Sequence, residues 1–331
     1  MRGNFVANVK GGSSLVPGEA RSNTDLFLQT EGRSLGRNAI HRLMRNRAAV
    51  LSALIITMLI LAAIFASLIA PYPYAQQDLT VTDQGPTHSH WLGTDALGRD
   101  ILSRLLYGSR ISMSVAVITV TIVLFVGVPI GVISGFYGGS FDLFLMRVID
   151  VMYAIPYYVL LILLQTYFLA KLPNIHSGPF IILEYVNRVS GGLVGVFIGL
   201  SVFGWLNVAR LARGQVLTAK EMDYVVAARS IGARNSRIML NHLLPNVVAP
   251  LIIMAALLIP GFIIAEAGIS FIGLGVQPPV ASWGSMLSDG VQAIESYPYQ
   301  TVFPALAIAI TLLSFNFLGD GLRDALDPFM K

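Results

Sequence analysis

The chain has 331 residues, of which 12% are charged and 55% belong to the broad apolar set. This charged fraction is about half of that in a soluble domain, which argues against a soluble globular protein. The lack of cysteine excludes disulfides, thiolate metal sites and thiol catalysis. The net charge is +4, but the basic residues lie in loops beside apolar runs, so no nucleic-acid partner is expected.

The amino-terminal segment is polar. Residues 1–33 are predicted to be a flexible cytoplasmic tail. Residues 34–47, SLGRNAIHRLMRNR, place four arginines among apolar side chains and predict a basic amphipathic helix on the membrane surface. No signal peptide is expected, because the first apolar run is too long for an h-region.

Six uncharged runs follow, and ~20 apolar residues suffice to span the ~30 Å hydrocarbon core of a bilayer. They cover residues 48–70, 111–141, 151–170, 189–209, 246–265 and 296–319. Glycines in the fourth run favour close helix packing, and Pro250 and Pro260 favour kinks in the fifth. The prediction is an all-α integral membrane protein in which residues 48–331 form one domain of six transmembrane helices.

Basic side chains near the ends of spans favour the cytoplasmic side of a membrane. With both termini inside, fourteen Lys and Arg residues lie on the cytoplasmic side and five on the outer side. The cytoplasmic set is Arg33, Arg37, Arg42, Arg45, Arg47, Arg147, Arg210, Arg213, Lys220, Arg229, Arg234, Arg237, Arg323 and Lys331. The outer set is Arg99, Arg104, Arg110, Lys171 and Arg188. This bias places the loop 210–245 in the cytoplasm.

Residues 221–245, EMDYVVAARSIGARNSRIMLNHLLP, form the longest charged island between two apolar runs. Glu221 and Asp223 suit a first helical turn, and the arginines follow toward the other end, as the helix dipole favours. One small apolar face is expected from residues at helical spacing: Tyr224, Ala227, Ala228 and Ile231. Gly232 then predicts a C-cap. The segment is either a helix that docks into a groove of a partner protein or a solvated linker.

The stretch VAARSIGARNSRIMLNHLLP resembles the cytoplasmic-loop motif of permeases of binding-protein-dependent ABC transporters. That motif reads Glu-Ala-Ala, three residues, Gly, and then a gap to Leu-Pro. The triplet at 226–228 is Val-Ala-Ala, so the acid of the motif is absent, whereas Gly232, Leu244 and Pro245 match in spacing. The flanking Asp-Tyr-Val and His-Leu-Leu-Pro-Asn are similar to the dipeptide and oligopeptide branch, and to its C-type permease. The resemblance covers residues 34–331.

The resemblance implies a type I ABC importer permease fold in the cytoplasmic membrane. It implies a coupling helix that docks on an ATPase subunit, formed by Glu221, Asp223, Tyr224, Ala227, Ala228, Arg229 and Gly232. It also implies four partner subunits besides membrane lipid: a second homologous permease, two ABC ATPase subunits and an extracytoplasmic solute-binding protein. ATP and Mg²⁺ would be bound by the ATPases, and no cofactor by this chain.

An ATP-binding P-loop needs Gly-Lys followed by Ser or Thr. None of the four lysines in the sequence follows a glycine, so this chain is not expected to be an enzyme with its own ATP site.

Two outer segments also resemble the peptide-permease branch. The first, HWLGTDALGRD at 90–100, contains Asp95, Arg99 and Asp100, and the resemblance implies contact with a partner there; the alternative is a loop whose Asp–Arg pairs hold its own shape. The second is ISFIGLGVQPPVASWG at 269–284, expected to be an ordered loop. His88 and His90 form an H-x-H pair without an obvious third metal ligand.

Two other classes of function remain open. A proton-coupled secondary transporter would need paired acids deep in the spans, whereas Asp150, Glu266 and Asp320 lie at the edges of apolar runs, where capping or water contact is expected. A membrane scaffold fits the spans but leaves the loop motif unexplained. Within the resembling branch, the solute could be a peptide, nickel, glutathione or another small molecule.

Overall fold

A computed structural model describes residues 35–175 and 177–326, so the expected tail at residues 1–33 lies outside the described part. The helices are α1 (Leu35–Arg45), α2 (Arg47–Ile64), α3 (Ala66–Ile69), α4 (Ile101–Tyr137), α5 (Gly139–Tyr153), α6 (Tyr157–Lys171), α7 (Ile181–Val189), α8 (Val194–Ala219), α9 (Asp223–Ser230), α10 (Asn235–Arg237), α11 (Leu244–Phe271), α12 (Trp283–Val291) and α13 (Tyr299–Leu326). A 3₁₀ turn covers Leu172–Asn174 and a π-helical turn covers Ile238–Leu243. The described ranges contain no β-strand, which confirms the all-α class.

In the described part of the chain, five helical segments are long and apolar enough to cross a membrane: Arg47–Ile64, Ile101–Tyr137, Val194–Ala219, Asn235–Phe271 and Tyr299–Leu326. Helices α5 and α6 form a sixth only if they are counted together, because the chain bends by 81° between them. The third predicted span, 151–170, is therefore wrong as one straight helix. Pro156 precedes α6, and a proline restricts the residue before it to non-helical conformations. Helix α1 agrees with the predicted basic helix, and its place on a membrane surface stays a prediction.

The second span begins ten residues earlier than residue 111, where it was predicted to begin. The carboxylate of Asp100 accepts a hydrogen bond from the backbone N–H of Ser103 at 2.7 Å and so caps α4 at its first turn. The polar residues ILSRLLYGSR are thus helical rather than part of an outer loop. At its other end α4 stops at Gly138, whose φ of +64° turns the chain into α5.

The fourth span is also longer than its apolar run. Helix α8 continues to Ala219, so the first ten residues of the predicted loop 210–245 are helical. Arg210 pairs with Asp150 at 3.0 Å, and Arg213 pairs with Asp142. Because acids on α5 neutralise both arginines, α8 can extend past them.

The closest helix pair is α4 and α8. Three glycines at four-residue spacing, Gly127, Gly131 and Gly135, face the α8 backbone. A Cβ atom at Gly127 would lie 2.8 Å from the carbonyl oxygen of Trp205, and one at Gly131 would collide with that of Ala209. Small residues at such positions let two backbones approach within contact, the usual basis of helix association in membranes. We call these three glycines and the facing α8 residues the glycine seam.

Gly199 and Gly204 of α8 pack against other helices, as the sequence predicted. A Cβ atom at Gly199 would collide with Leu161 of α6, and one at Gly204 would lie 2.6 Å from Val123 and 2.9 Å from Phe262. Helix α8 therefore lies at the centre of the fold, with α4, α6 and α11 around it.

The outer segment 266–295, expected to be a loop, is partly helical. Helix α11 runs to Phe271, and α12 begins after a capping box of Ser282 and Ser285. Glu266 was expected at a cap or in water, and this is wrong: it is fully buried, and it accepts hydrogen bonds from Ser112 at 3.0 Å and Ser270 at 2.6 Å.

Replacing Gly131 by Leu should break the glycine seam. The added side chain cannot fit against the backbone of Ala209, and overpacking costs about 1–3 kcal/mol or more. We expect a lower melting temperature and a lower yield of monodisperse protein in detergent. Gly268→Ala is the control, because a Cβ atom there meets no atom within 4 Å. Equal stability of the two variants would contradict the seam.

Candidate functional site

The charged island after α8 folds back onto its own chain. Helix α9 begins at Asp223, in agreement with the predicted helix start, and Glu221 lies just before it. Val225 is fully buried, and Ala228 is 5% exposed. Both belong to the hydrophobic cluster that contains Ile238 and Leu243 of the following π-helical turn. Two inward side chains therefore fix α9 against the start of the fifth span.

Gly232 ends α9 in the way the sequence predicted. Its φ is +79°, a left-handed conformation that side chains with a Cβ atom rarely adopt. The N–H of Gly232 donates to the carbonyl of Arg229 at 3.0 Å, and the N–H of Ala233 donates to that of Ala228 at 3.1 Å. This pair of bonds is a Schellman motif, which satisfies the last carbonyls of the helix and reverses the chain.

The turn leaves a concavity of about 510 Å³ on the surface of the island. It is lined by Tyr224, Ala227, Ala228, Ile231, Gly232, Ala233, Arg237 and His242. Ile231 is 86% exposed, which is unusual for a large apolar side chain and marks an interaction surface when its neighbours are also apolar. We call these eight residues the coupling concavity.

The predicted apolar face is correct for three of its four members. Tyr224, Ala227 and Ile231 are exposed, whereas Ala228 packs inward and contributes only to the floor. The expectation that Ala228 presents an open docking surface is therefore wrong. In a short helix lying against a core, the residue three positions after Val225 returns to the buried side.

The polar members of the predicted site point outward. Glu221, Asp223 and Arg229 are exposed. Within residues 39–175 and 177–326, none of them forms an ion pair with another side chain. Their predicted part in orienting the helix on a partner stays a prediction. Arg237 and His242, which line the concavity, were not singled out, because they come after the helix and share no periodicity with it.

A second set of contacts ties the island to the glycine seam. The Lys220 ammonium donates to the carbonyl of Gly135 at 3.3 Å, and Arg213 donates to the buried carboxylate of Asp142. Burial of such a pair demands good geometry, since an unpaired charge there is costly. Asp142 was not predicted as a functional residue. Its sequence signal is an acid in the first helical turn, shortly after two glycines.

The predicted outer-loop residues are bonded within their own loop. Asp95 accepts hydrogen bonds from the N–H groups of Leu97 at 2.9 Å and Arg99 at 3.0 Å, and from Arg99 Nε at 2.7 Å. Arg99 and the buried Arg104 of α4 both donate to Asp289 of α12, at 3.1 and 3.2 Å. These ion pairs hold the outer loop, α4 and α12 together.

The carboxylate of Asp100 is also bonded within its own segment. Besides capping α4, it lies 2.9 Å from Nδ1 of His90. Asp95 and Asp100 are both buried, which agrees with the alternative of a loop that holds its own shape, and contact of this segment with a partner stays a prediction. Among the described residues, no three His, Cys, Asp or Glu side chains come together as a metal site.

Comparisons with known proteins give a consistent result. Residues 127–331 match the family described as "Binding-protein-dependent transport system inner membrane component", and residues 34–86 match the "N-terminal TM domain of oligopeptide transport permease C". The chain is 39% identical to the oligopeptide transport system permease protein C of Bacillus subtilis (strain 168), over 95% of this chain and 96% of that protein.

Two further relatives carry other names. The dipeptide transport system permease protein C of Bacillus subtilis (strain 168) is 38% identical over 90% of this chain and 87% of its own length. The glutathione transport system permease protein D of Pectobacterium atrosepticum is 36% identical over 88% of this chain and 90% of its own length. The similarity extends over nearly the whole of each protein.

Replacing Gly232 by Ala should loosen the end of α9. The left-handed conformation costs a residue with a Cβ atom about 1–2 kcal/mol. Backbone amides near Gly232 should then exchange hydrogen about tenfold faster, measured by mass spectrometry of the intact protein. Gly214→Ala is the control, because Gly214 lies within α8 in open space. Unchanged exchange in the Gly232 variant would contradict the role of the turn.

Proposed function

The chain belongs to the binding-protein-dependent transport system inner membrane components, and from this premise we propose that it is the permease subunit of an ATP-driven ABC importer of peptides. The family and the five or six spans make it a multi-pass membrane permease. The peptide assignment is supported by the oligopeptide and dipeptide permeases to which it is 38–39% identical. Glutathione, a modified tripeptide, is the second candidate, supported by the relative at 36% identity.

The energy for transport comes from other subunits in this proposal. The sequence has no Gly-Lys-Ser/Thr phosphate loop, so ATP and Mg²⁺ are bound by two partner ATPases and not by this chain. The coupling concavity is where one ATPase docks. It suits an inserted helix or loop, since its lining is mostly apolar, with Tyr224 and Ile231 exposed, and also contains the cation Arg237.

The transport cycle follows from alternating access. Closure of the ATPase dimer moves the docked α9, and α8 moves with it because Val225 and Ala228 join α9 to the core of the permease. The distribution of basic residues in the sequence favours a cytoplasmic position for α9 and for both termini. On the outer side, a solute-binding protein delivers the peptide, and a second homologous permease completes the path.

A charge on the exposed floor of the concavity should uncouple transport. Ala227→Glu places a carboxylate where the ATPase would bury it, and an uncompensated buried charge costs about 3–5 kcal/mol. We expect the variant to insert and fold normally, with ATP-driven uptake of trialanine into liposomes reduced more than about tenfold.

Ser230→Glu is the matched control for this experiment. It adds the same charge to the same exposed helix but lies outside the concavity, so uptake should stay near that of the wild type. Ala228→Glu is a less useful variant, because Ala228 is buried in the chain itself and its loss would disturb folding. Normal uptake by Ala227→Glu would refute docking at this concavity, and solute uptake by the isolated chain with a proton gradient would refute the importer.

A further inference from the structure

The exposed side of α8 is polar in the carboxyl-terminal half of the helix. All 26 residues of this helix are described, and its exposed members are Asn207, Arg210, Gly214 and Thr218. Their spacing of three, four and four residues puts them on one stripe of the helix. None of the four has a large apolar side chain. We call them the polar stripe.

A polar stripe on a spanning helix is unsuited to lipid. Charged side chains at mid-membrane face the protein interior or a water-filled cavity, because hydrocarbon offers no hydrogen bonds. The exposed residues of α4 have the opposite character, among them Ile118, Ile122 and Phe125, which is 81% exposed. The two helices pack together, yet the exposed side of α4 around these residues is apolar and that of α8 is polar.

The stripe begins at a cavity of about 490 Å³. The cavity lies where the chain bends by 81° between α5 and α6, and α8 and α11 form its other walls. Asn207 is the fourteenth of the 26 residues of α8, so the cavity is near the middle of the span. Its lining includes Tyr153, Tyr157, Asn207, Leu257 and Gly261 and contains no Asp, Glu, Lys or Arg.

Polar groups cross this cavity and lie just below it. The Tyr153 hydroxyl of α5 donates to the side-chain oxygen of Asn207. One turn toward the cytoplasm, the Arg210 guanidinium lies 4.9 Å from the centre of the Tyr153 ring and 3.0 Å from the carboxylate of Asp150. The cavity thus offers a hydroxyl and an amide in an aromatic setting, with paired charges beneath.

We propose that the cavity and the polar stripe are this chain's side of the solute path, and that Tyr153 and Asn207 contact the main chain of a passing peptide. The proposal rests on the importer function proposed above and adds the residues that the solute meets. An amide side chain and a hydroxyl can each donate and accept a hydrogen bond, as a peptide group requires. Since the lining carries no charge, such contacts accept peptides regardless of their side chains.

The Tyr153–Asn207 bond has a second role in this proposal. It joins α5 to α8 across the cavity, so a peptide that bonds to both residues replaces it without leaving either group unsatisfied. A lipid chain offers no replacement for this bond.

Cysteine labelling tests the proposal directly, because the sequence has no native cysteine. Single variants Asn207→Cys, Gly214→Cys and Gly261→Cys probe the path, and Phe125→Cys on α4 is the lipid-side control. At Gly214 and Gly261 an added Cβ atom meets nothing within 4 Å, so these two variants should fold. The complex with its co-expressed permease and ATPases is placed in nanodiscs and treated with a sulfonated methanethiosulfonate, which reacts with thiolates in water.

We expect the three path cysteines to react more than about tenfold faster than the cysteine at 125, since a thiol in apolar surroundings stays protonated. Millimolar trialanine should slow labelling at Asn207→Cys and Gly261→Cys, and maltose at the same concentration should not. If the path cysteines are labelled as slowly as the cysteine at position 125, the path assignment is overturned. It is also overturned if a path cysteine cross-links to the second permease instead of reacting with the reagent. Fast labelling that trialanine leaves unchanged would overturn the peptide contact.

The outcome is separable from that of the proposed function. ATP-dependent trialanine uptake into liposomes is measured alongside, with the complex that contains the unmodified chain and with the co-expressed solute-binding protein. If uptake occurs and the path cysteines stay unreactive, only the path assignment fails. If no uptake occurs, the proposed import of peptides itself fails, whatever the labelling shows.

Discussion

The close approach of α4 and α8 is the constraint on which the other contacts depend. Glycines at positions 127, 131 and 135 bring the two backbones within contact, which no larger residue would allow. The same approach brings the carbonyl of Gly135 to Lys220, and the turn after α4 to Arg213. The seam therefore builds the spanning core and also positions the chain end from which α9 begins. Hydrophobicity alone would not do this, because lipid is as apolar as the helices.

The seam also links the two functional surfaces. Helix α8 carries the polar stripe on one side, and α9 follows it after a turn of three residues. Val225 and Ala228 bury the inner side of α9 in the same hydrophobic cluster that contains Val216 of α8. A force applied to the coupling concavity is therefore transmitted to α8, the helix that lines the proposed path. Packed interiors are stiff, so the movement reaches the stripe without a separate relay.

The end of the fold that contains α12 and the start of α4 is held by buried polar bonds as well as by close packing. Ser112 of α4 donates to Glu266 and accepts from the backbone N–H of Trp283, which joins α4, α11 and α12 at one hydroxyl. The Trp283 indole adds a bond to the carbonyl of Leu105 at 3.1 Å. A buried polar network of this kind has few alternative arrangements that satisfy every group. It therefore fixes the position of α12 against α4 and α11.

The sequence by itself determined the apolar runs, the all-α class and the loop motif with its helix start and its turn at Gly232. These are local properties. A run of apolar residues, the interaction of acids with a helix dipole, and a glycine in a left-handed conformation depend only on residues close by in the chain. Only the tertiary structure decided that Ala228 and Glu266 are buried, that Asp95 and Asp100 bond within their own loop, and that the third apolar run is bent. It also decided which side of α8 is exposed. These outcomes depend on how each helix is rotated against its neighbours, which is set by contacts between residues far apart in the chain.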